Sequence, residues 1–70
     1  MSTATITLMF GPRAVDAEVA RIAADDLRAR GYTVAAPSVA DMGNAFTTNA
    51  PRHIALIIKH NARVTFARTA

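Results

Sequence analysis

The chain contains no cysteine and no tryptophan, and only 6% of its 70 residues are aromatic. Without cysteine, disulfides, thiolate metal sites and thiol redox chemistry are excluded. Few aromatic side chains are available to stack on nucleic-acid bases, since only Tyr32 and Phe46 fall outside the predicted core. The longest apolar run, Ile54 to Ile58, is far too short to cross a bilayer. We therefore expect a soluble, cytoplasmic protein without a cofactor or a membrane anchor.

Acidic residues are absent from the C-terminal part of the chain. All five lie within the first 41 residues, where four arginines leave a net charge of −1. From Met42 onward the chain carries two histidines and no acid, and its four cations give this part a charge of +4. These cations are Arg52, Lys59, Arg63 and Arg68. The asymmetry predicts that the C-terminal part binds an acidic partner.

The chain is short for a protein that must bury a core of its own. A domain of this length buries only about 60% of the surface that its unfolded chain exposes. Of the 36 hydrophobic residues, 16 are alanines, whose burial contributes little. Chains below about 80 residues often gain stability from a metal, a disulfide or an oligomer interface. We therefore expect one domain, residues 1–70, that forms a homodimer or docks tightly on a partner.

The clearest pattern in the sequence is an amphipathic helix from Ala14 to Arg30. Its apolar residues recur at helical spacing, and charged residues occupy most of the other positions. The apolar stripe consists of Val15, Val19, Ile22, Ala23 and Leu27. Opposite charges three or four residues apart predict weak ion pairs on the exposed side. Gly31 is expected to end the helix, because glycine readily adopts the left-handed conformation that follows many helices.

Two strand-like segments flank this helix. Residues Thr3 to Phe10 alternate, with Ile6, Leu8 and Phe10 on the face that we expect to be buried. Tyr32 to Ala36 form a second, shorter segment. A β-α-β unit with the usual right-handed crossover would make the two strands parallel, with the helix on one face of the sheet.

The segment between the second strand and residue 51 supports two interpretations. Ser38 followed by Asp41 has the form of a capping box, which favours a short helix through Phe46. Gly43 and Asn44 lie inside that helix and favour a distorted turn or a loop instead. From the sequence alone both interpretations stay open.

The C-terminal part is interpreted as a β-hairpin. Arg52 to Lys59 and Ala62 to Thr69 would pair around His60-Asn61, because Asn and His tolerate a positive φ in a tight turn. The turn length, and with it the register, stays open. The predicted fold class is α/β (α+β, two layers) with the order β-α-β-(short helix or loop)-β-β. Its sheet is predicted to be four-stranded and mixed, with the order 2-1-3-4 and one main helix on one face.

Self-association is predicted from the exposed face of this hairpin. With a turn of two or four residues, Ile57 and Val64 would face the helix and belong to the core. Ile54, Leu56 and Ile58 would then lie side by side on the sheet face that the helix does not cover. They would also lie close to an unpaired strand edge, where a second chain can add.

No arrangement of residues in the sequence predicts catalysis or metal binding. Ser38, Asp41, His53 and His60 have no spacing that favours a catalytic triad or a closed set of metal ligands. Gly11-Pro12-Arg13 stands where a strand meets a helix, a place where α/β proteins often bind anions or nucleotides. A single glycine is a weak signal for such a site, and proline removes one donor N–H. We therefore expect that the protein is not an enzyme.

Three functional hypotheses follow, and the first is preferred. It is a small non-enzymatic interaction or inhibitor protein that masks an acidic surface of a larger protein or protein–nucleic acid complex. A phage or mobile-element accessory protein, such as an anti-CRISPR, would fit this class. The partner-binding residues would be Arg52, His53, Lys59, His60, Arg63 and Arg68. The alternatives are a nucleic-acid-binding module that uses the open sheet face and the basic hairpin, and, more weakly, a small nucleotide-binding enzyme or enzyme subunit.

Overall fold

A computed structural model describes residues 5–35 and 43–69 of the chain. Within them two helices pack on a three-stranded antiparallel sheet of order β1-β3-β2. In chain order the elements are β1 (Ile6–Gly11), α1 (Ala14–Ala29), β2 (Val34–Ala35), β3 (Asn44–Thr48) and α2 (Arg52–Thr69). The predicted α+β class is confirmed, whereas the four-stranded sheet and its order 2-1-3-4 are not.

Strand β3 lies between β1 and β2 and pairs antiparallel with both. Leu8 lies opposite Phe46, and Thr48 lies opposite both Ile6 and Val34. Strands β1 and β2 therefore run in the same direction, as predicted, but they do not pair with each other. This arrangement is a split β-α-β unit, in which a third strand, here β3, lies between the two parallel strands that the crossover helix connects.

The predictions for β1 and α1 are confirmed in their main features. Along β1 the side chains alternate, with Leu8 and Phe10 buried and Met9 exposed. Helix α1 buries Val19, Ala23, Ala24 and Leu27 against the sheet and α2. The stripe is shifted at its start, because Val15 is exposed. Gly31 follows the helix with a φ of 92°, the left-handed conformation expected there.

The prediction for residues 44–46 is wrong, because this segment is neither a helix nor a loop. Asn44–Thr48 form the central strand of the sheet, with Phe46 and Thr48 buried. The ring of Phe46 packs on that of Phe10, with centroids 5.3 Å apart. The strand is recognised only from its pairing with β1 and β2. Alternation over five residues is too weak a signal in the sequence to predict it. Ser38 and Asp41, which suggested the capping box, lie outside the described residues.

The predicted β-hairpin is also wrong, because residues 52–69 form one helix of 18 residues. Its buried residues Ala55, Ile58 and Ala62 are spaced i, i+3 and i+7, a helical period. The Pro51 carbonyl accepts a hydrogen bond from the Ala55 N–H (2.9 Å) at the start of the helix. His60-Asn61, the expected turn, lies in the middle of α2.

Both helices lie on one face of the sheet and enclose the core with it. Helix α1 packs on all three strands and on α2, while α2 packs mainly on α1 and reaches β1. The core consists of Leu8, Phe10, Val19, Ala23, Ala24, Leu27, Phe46, Ala50, Ala55, Ile58 and Ala62. Ala55 and Ala62 have small side chains, which allow α2 to approach α1 closely. As a result, α2 presents one side to the core and the opposite side to solvent.

Candidate functional site

The side of α2 that points away from the core carries an exposed row of apolar and histidine side chains. Its members, which we call the outer face of α2, are His53, Leu56, Ile57, His60, Val64 and Ala67. Three of them are large apolar residues, with exposed fractions of 45% for Leu56, 55% for Ile57 and 37% for Val64. Isolated exposed apolar residues are ordinary on protein surfaces. Here three of them share one side of one helix.

The apolar character of both sides of α2 follows from its sequence. Ile54 to Ile58 is apolar at every position, so a helix cannot bury all of it against a single neighbour. The helix turns Ile58 into the core, where it is 1% exposed, and thereby turns Leu56 and Ile57 outward. The predicted self-association set is thus divided: Ile58 is buried, Ile54 is half-buried and Leu56 is exposed.

Five of the six predicted partner-binding residues are exposed on α2, and four of these five make no hydrogen bond to another element of the described residues. Arg52 and His53 lie in its first turn, His60 lies in the middle, and Arg68 lies in its last turn. Among the described residues, neither Arg52 nor Arg68 makes a salt bridge. Helix α2 contains no acidic residue, so these cations are not compensated within their own helix.

Lys59 and the fifth exposed residue, Arg63, are turned toward the end of β1. The Lys59 ammonium donates a hydrogen bond to the Met9 carbonyl (2.8 Å) and lies 5.4 Å from the centroid of the Phe10 ring. The Arg63 guanidinium donates to the Phe10 carbonyl (3.2 Å). Strand β1 is at the edge of the sheet, and cationic side chains at such an edge discourage pairing with another chain. These two cations therefore have a role within the fold.

A buried carboxylate joins β1, α1 and α2 next to this edge. Asp16 is only 2% exposed and accepts hydrogen bonds from the backbone N–H (3.1 Å) and the Nε (3.2 Å) of Arg13. Its Oδ1 lies 3.7 Å from a guanidinium nitrogen of Arg63. The hydrogen bond from the Arg13 side chain is the main cause that lowers the pKa of Asp16, although its burial acts in the opposite direction.

The backbone around Asp16 is shaped to receive its side chain. Gly11 has a φ of 110°, and a Cβ atom at this position would lie 2.6 Å from Asp16 Oδ2. The Asn44 amide donates to the carbonyls of Gly11 (2.8 Å) and Arg13 (3.0 Å), which attaches the start of β3 to the same place. The N-terminus of α1, where the sequence suggested an anion or nucleotide site, is thus occupied by the protein's own carboxylate.

The exposed side of α1 differs from that of α2 because its charges are paired. Arg21 contacts both Glu18 and Asp25, and Arg30 contacts Asp26 with its Nε 2.9 Å from the carboxylate. The pairs predicted from the spacing are therefore present. Such exposed pairs are individually weak, but they neutralise the surface of α1. The uncompensated cations of the described residues are concentrated on α2.

Sequence reasoning identified the cations of α2 but missed Ile57 and Val64, which it assigned to the core of a hairpin. The helical spacing of Ala55, Ile58 and Ala62 was the signal that could have revealed them. Residues 5–35 and 43–69 contain no cavity and no group of three side chains suited to hold a metal ion.

Neither α1 nor α2, the two helices of the described residues, is long and apolar enough to span a membrane. Comparisons with known proteins return no significant match to a protein-family model, to a curated protein or to a solved structure.

Proposed function

We propose that this protein is a small non-enzymatic interaction or inhibitor protein that binds an acidic surface of a larger protein through the outer face of α2. One observation carries the proposal. Three large apolar side chains are exposed on a helix whose only ionisable side chains are arginine, lysine and histidine.

Burial of the apolar residues provides favourable free energy for binding. Covering them removes apolar surface from water, which contributes about 25 cal/mol for each Å² that is buried. Leu56 and Ile57 are adjacent, and Val64 follows Ile57 after two turns, so one partner surface can cover all three. Interfaces commonly combine such an apolar centre with a polar rim.

The cations of α2 supply the preference for an acidic partner. Arg52 and Arg68 lie at the two ends of the helix, one on each side of the apolar centre. Charges in this position steer association and disfavour basic partners. The ion pairs of α1 give that helix no comparable preference, since its cations are matched by nearby acids.

Photo-crosslinking in the cells from which the chain derives tests this proposal. A photoreactive amino acid replaces Ile57, and in a control chain it replaces Met9, which is exposed on the opposite side of the sheet. We expect Ile57 to yield an adduct with a different protein, which Met9 does not yield; a cross-link between two copies of this chain does not count as such an adduct. The adduct should weaken when Arg52→Glu and Arg68→Glu are added, and should persist with Arg21→Glu and Arg28→Glu. Equal adducts from both positions, or equal effects of the two charge reversals, would contradict the proposal.

Nucleic acid is the second candidate partner, because Arg52, His53, His60 and Arg68 are exposed along one helix. Phosphates would leave the exposed Leu56 and Ile57 uncovered, so we expect only weak binding of this kind. A gel shift with unrelated duplex and single-stranded probes measures it, and log K should fall linearly with log salt. Binding at micromolar or lower concentrations at physiological salt, lost with Arg52→Glu and Arg68→Glu, would replace the protein partner with nucleic acid.

A further inference from the structure

We propose that the element of the partner that docks on the outer face of α2 is an acidic amphipathic α-helix, packed side by side with α2. This inference rests on the proposed function and names the kind of surface that the face accepts.

The spacing of the exposed residues points to a helix. His53, Ile57, His60, Val64 and Ala67 are separated by four, three, four and three residues. This alternation is the a and d pattern of a coiled coil, whose period of 3.5 residues keeps a row of side chains facing a neighbouring helix. From His53 to Ala67 the row is about 21 Å long at 1.5 Å per residue. A partner helix packed along α2 can contact all of it with the same 3.5-residue period.

The residues beside this row determine the charge of the partner helix. In the same heptad numbering, Leu56 and Arg63 occupy g positions, and Asn61 and Arg68 occupy e positions. Side chains at e and g meet those of the facing helix and select it by charge. Arg68 is exposed, and the side chain of Arg63 keeps 43% of its surface exposed beside its contacts to β1 and Asp16. A facing helix with Glu or Asp at its own e and g positions therefore fits.

The same charges disfavour a second copy of α2 as the occupant. Every charged side chain of α2 is a cation, so pairing two copies in either direction brings arginines together. Like charges placed opposite each other destabilise an interface. An acidic helix removes this repulsion. The row covers only about four turns of helix, so the complex should be transient.

A designed peptide serves as the probe, because it presents the proposed chemistry without the partner. It contains three heptads, about 21 residues, with Ile at a, Leu at d and Glu at e and g. A matched peptide carries Lys at e and g and is otherwise identical. Each is titrated into the isotopically labelled full chain while amide resonances are recorded. We expect the Glu peptide to shift resonances of α2 and to bind at least about tenfold more tightly than the Lys peptide.

Two single substitutions locate the binding surface. Ile57→Asp places a carboxylate in the centre of the row and should reduce binding of the Glu peptide at least about tenfold. Met9→Asp makes the same change at an exposed apolar residue on the other side of the sheet and should leave binding unchanged. Circular dichroism checks that both variants fold. If Ile57→Asp does not fold, Arg68→Glu tests the same surface at an exposed residue and should also weaken binding.

Some outcomes would overturn the helix inference alone. Equal binding of the Glu and Lys peptides would do so, as would resonance shifts confined to the sheet. An Ile57 cross-link to an acidic loop or strand of a partner, without binding of the Glu peptide, would also overturn it and leave the proposed function intact. Adducts that do not depend on the cations of α2 would instead overturn the proposed function.

Discussion

At the scale of single residues, the fold depends on a carboxylate that is removed from water. Asp16 is held by Arg13 and approached by Arg63, and both interactions favour its ionised form. Because the pKa of Asp16 is lower in the folded protein than its ordinary value of 3.8, ionised Asp16 stabilises the fold at neutral pH. This contribution is complete above the unfolded pKa and is lost as the pH falls through the folded pKa.

Asp16→Asn should therefore destabilise the protein at pH 7 and reduce the loss of stability below about pH 4. Urea unfolding at a series of pH values measures both effects. Asp25→Asn is the control, since the Asp25 side chain is 58% exposed, and it should change the stability at pH 7 by less than about 0.5 kcal/mol. Identical pH profiles for the wild type and Asp16→Asn would show that this carboxylate is not linked to folding.

Gly11→Ala should cost more stability than Gly31→Ala. Both glycines have a positive φ, which an alanine adopts only with strain of about 1–3 kcal/mol. At Gly11 the new Cβ would also collide with the Asp16 carboxylate, whereas at Gly31 it meets no atom within 4 Å. Thermal melts of the two variants give the comparison. A larger loss at Gly31 would mean that the contact between Gly11 and Asp16 is not as close as described.

At the scale of elements, α2 is the part of the fold that differs most from expectation. Two neighbouring residues, Ile57 and Ile58, distinguish the observed helix from the predicted hairpin. In the predicted hairpin Ile57 belongs to the core and Ile58 to the open face, whereas in the helix Ile58 is buried and Ile57 is exposed. The same chemical change at the two positions therefore separates the two structures.

Ile58→Ala should destabilise the protein by about 2–5 kcal/mol, the usual range for truncation of a buried isoleucine. Ile57→Ala should change the stability by about 0.5 kcal/mol or less, because its side chain is already in contact with water. Urea unfolding followed by circular dichroism measures both. The reverse order of effects would favour the hairpin over the helix.

At the scale of the whole molecule, charge is distributed by element. The charged side chains of α1 form ion pairs, whereas every charged side chain of α2 is a cation. The described residues of the open sheet face carry no charge. These uncharged residues are Thr7, Met9, Ala35, Ala45 and Thr47. Two copies can therefore meet through this sheet face without repulsion, but not through α2. The homodimer predicted from the sequence stays a prediction, and it now concerns the sheet.

Light scattering over a range of protein concentrations tests this prediction. We expect a weak dimer at high concentration that Met9→Lys converts to a monomer, because the new charge would be buried between two sheets. Ile57→Lys should not alter the mass. A monomer at every concentration would contradict self-association, and a dimer that only Ile57→Lys dissociates would place the contact on α2.

The success of each sequence prediction depended on how many structures its pattern allowed. Along β1 and α1 each pattern fits one period only, so the positions of Leu8 and Leu27 could be predicted. Ile54 to Ile58 is apolar throughout and fits both a strand and a helix. Because this segment was interpreted as a strand, Ile57 was assigned to the core. The exposed outer face of α2 was therefore not predicted. The cations of α2 were found regardless, because net charge does not depend on secondary structure.

The sequence by itself determined the α+β class, the first strand and helix, and the separation of acids from cations along the chain. Tertiary structure alone decided that residues 44–48 form the central strand and that residues 52–69 form a helix. The physical reason is that both choices depend on partners distant in sequence. Strand β3 requires the open sides of β1 and β2, and α2 requires a surface of α1 against which Ala55, Ile58 and Ala62 are buried. These contacts turn Lys59 and Arg63 toward β1 and leave Ile57 exposed to a partner.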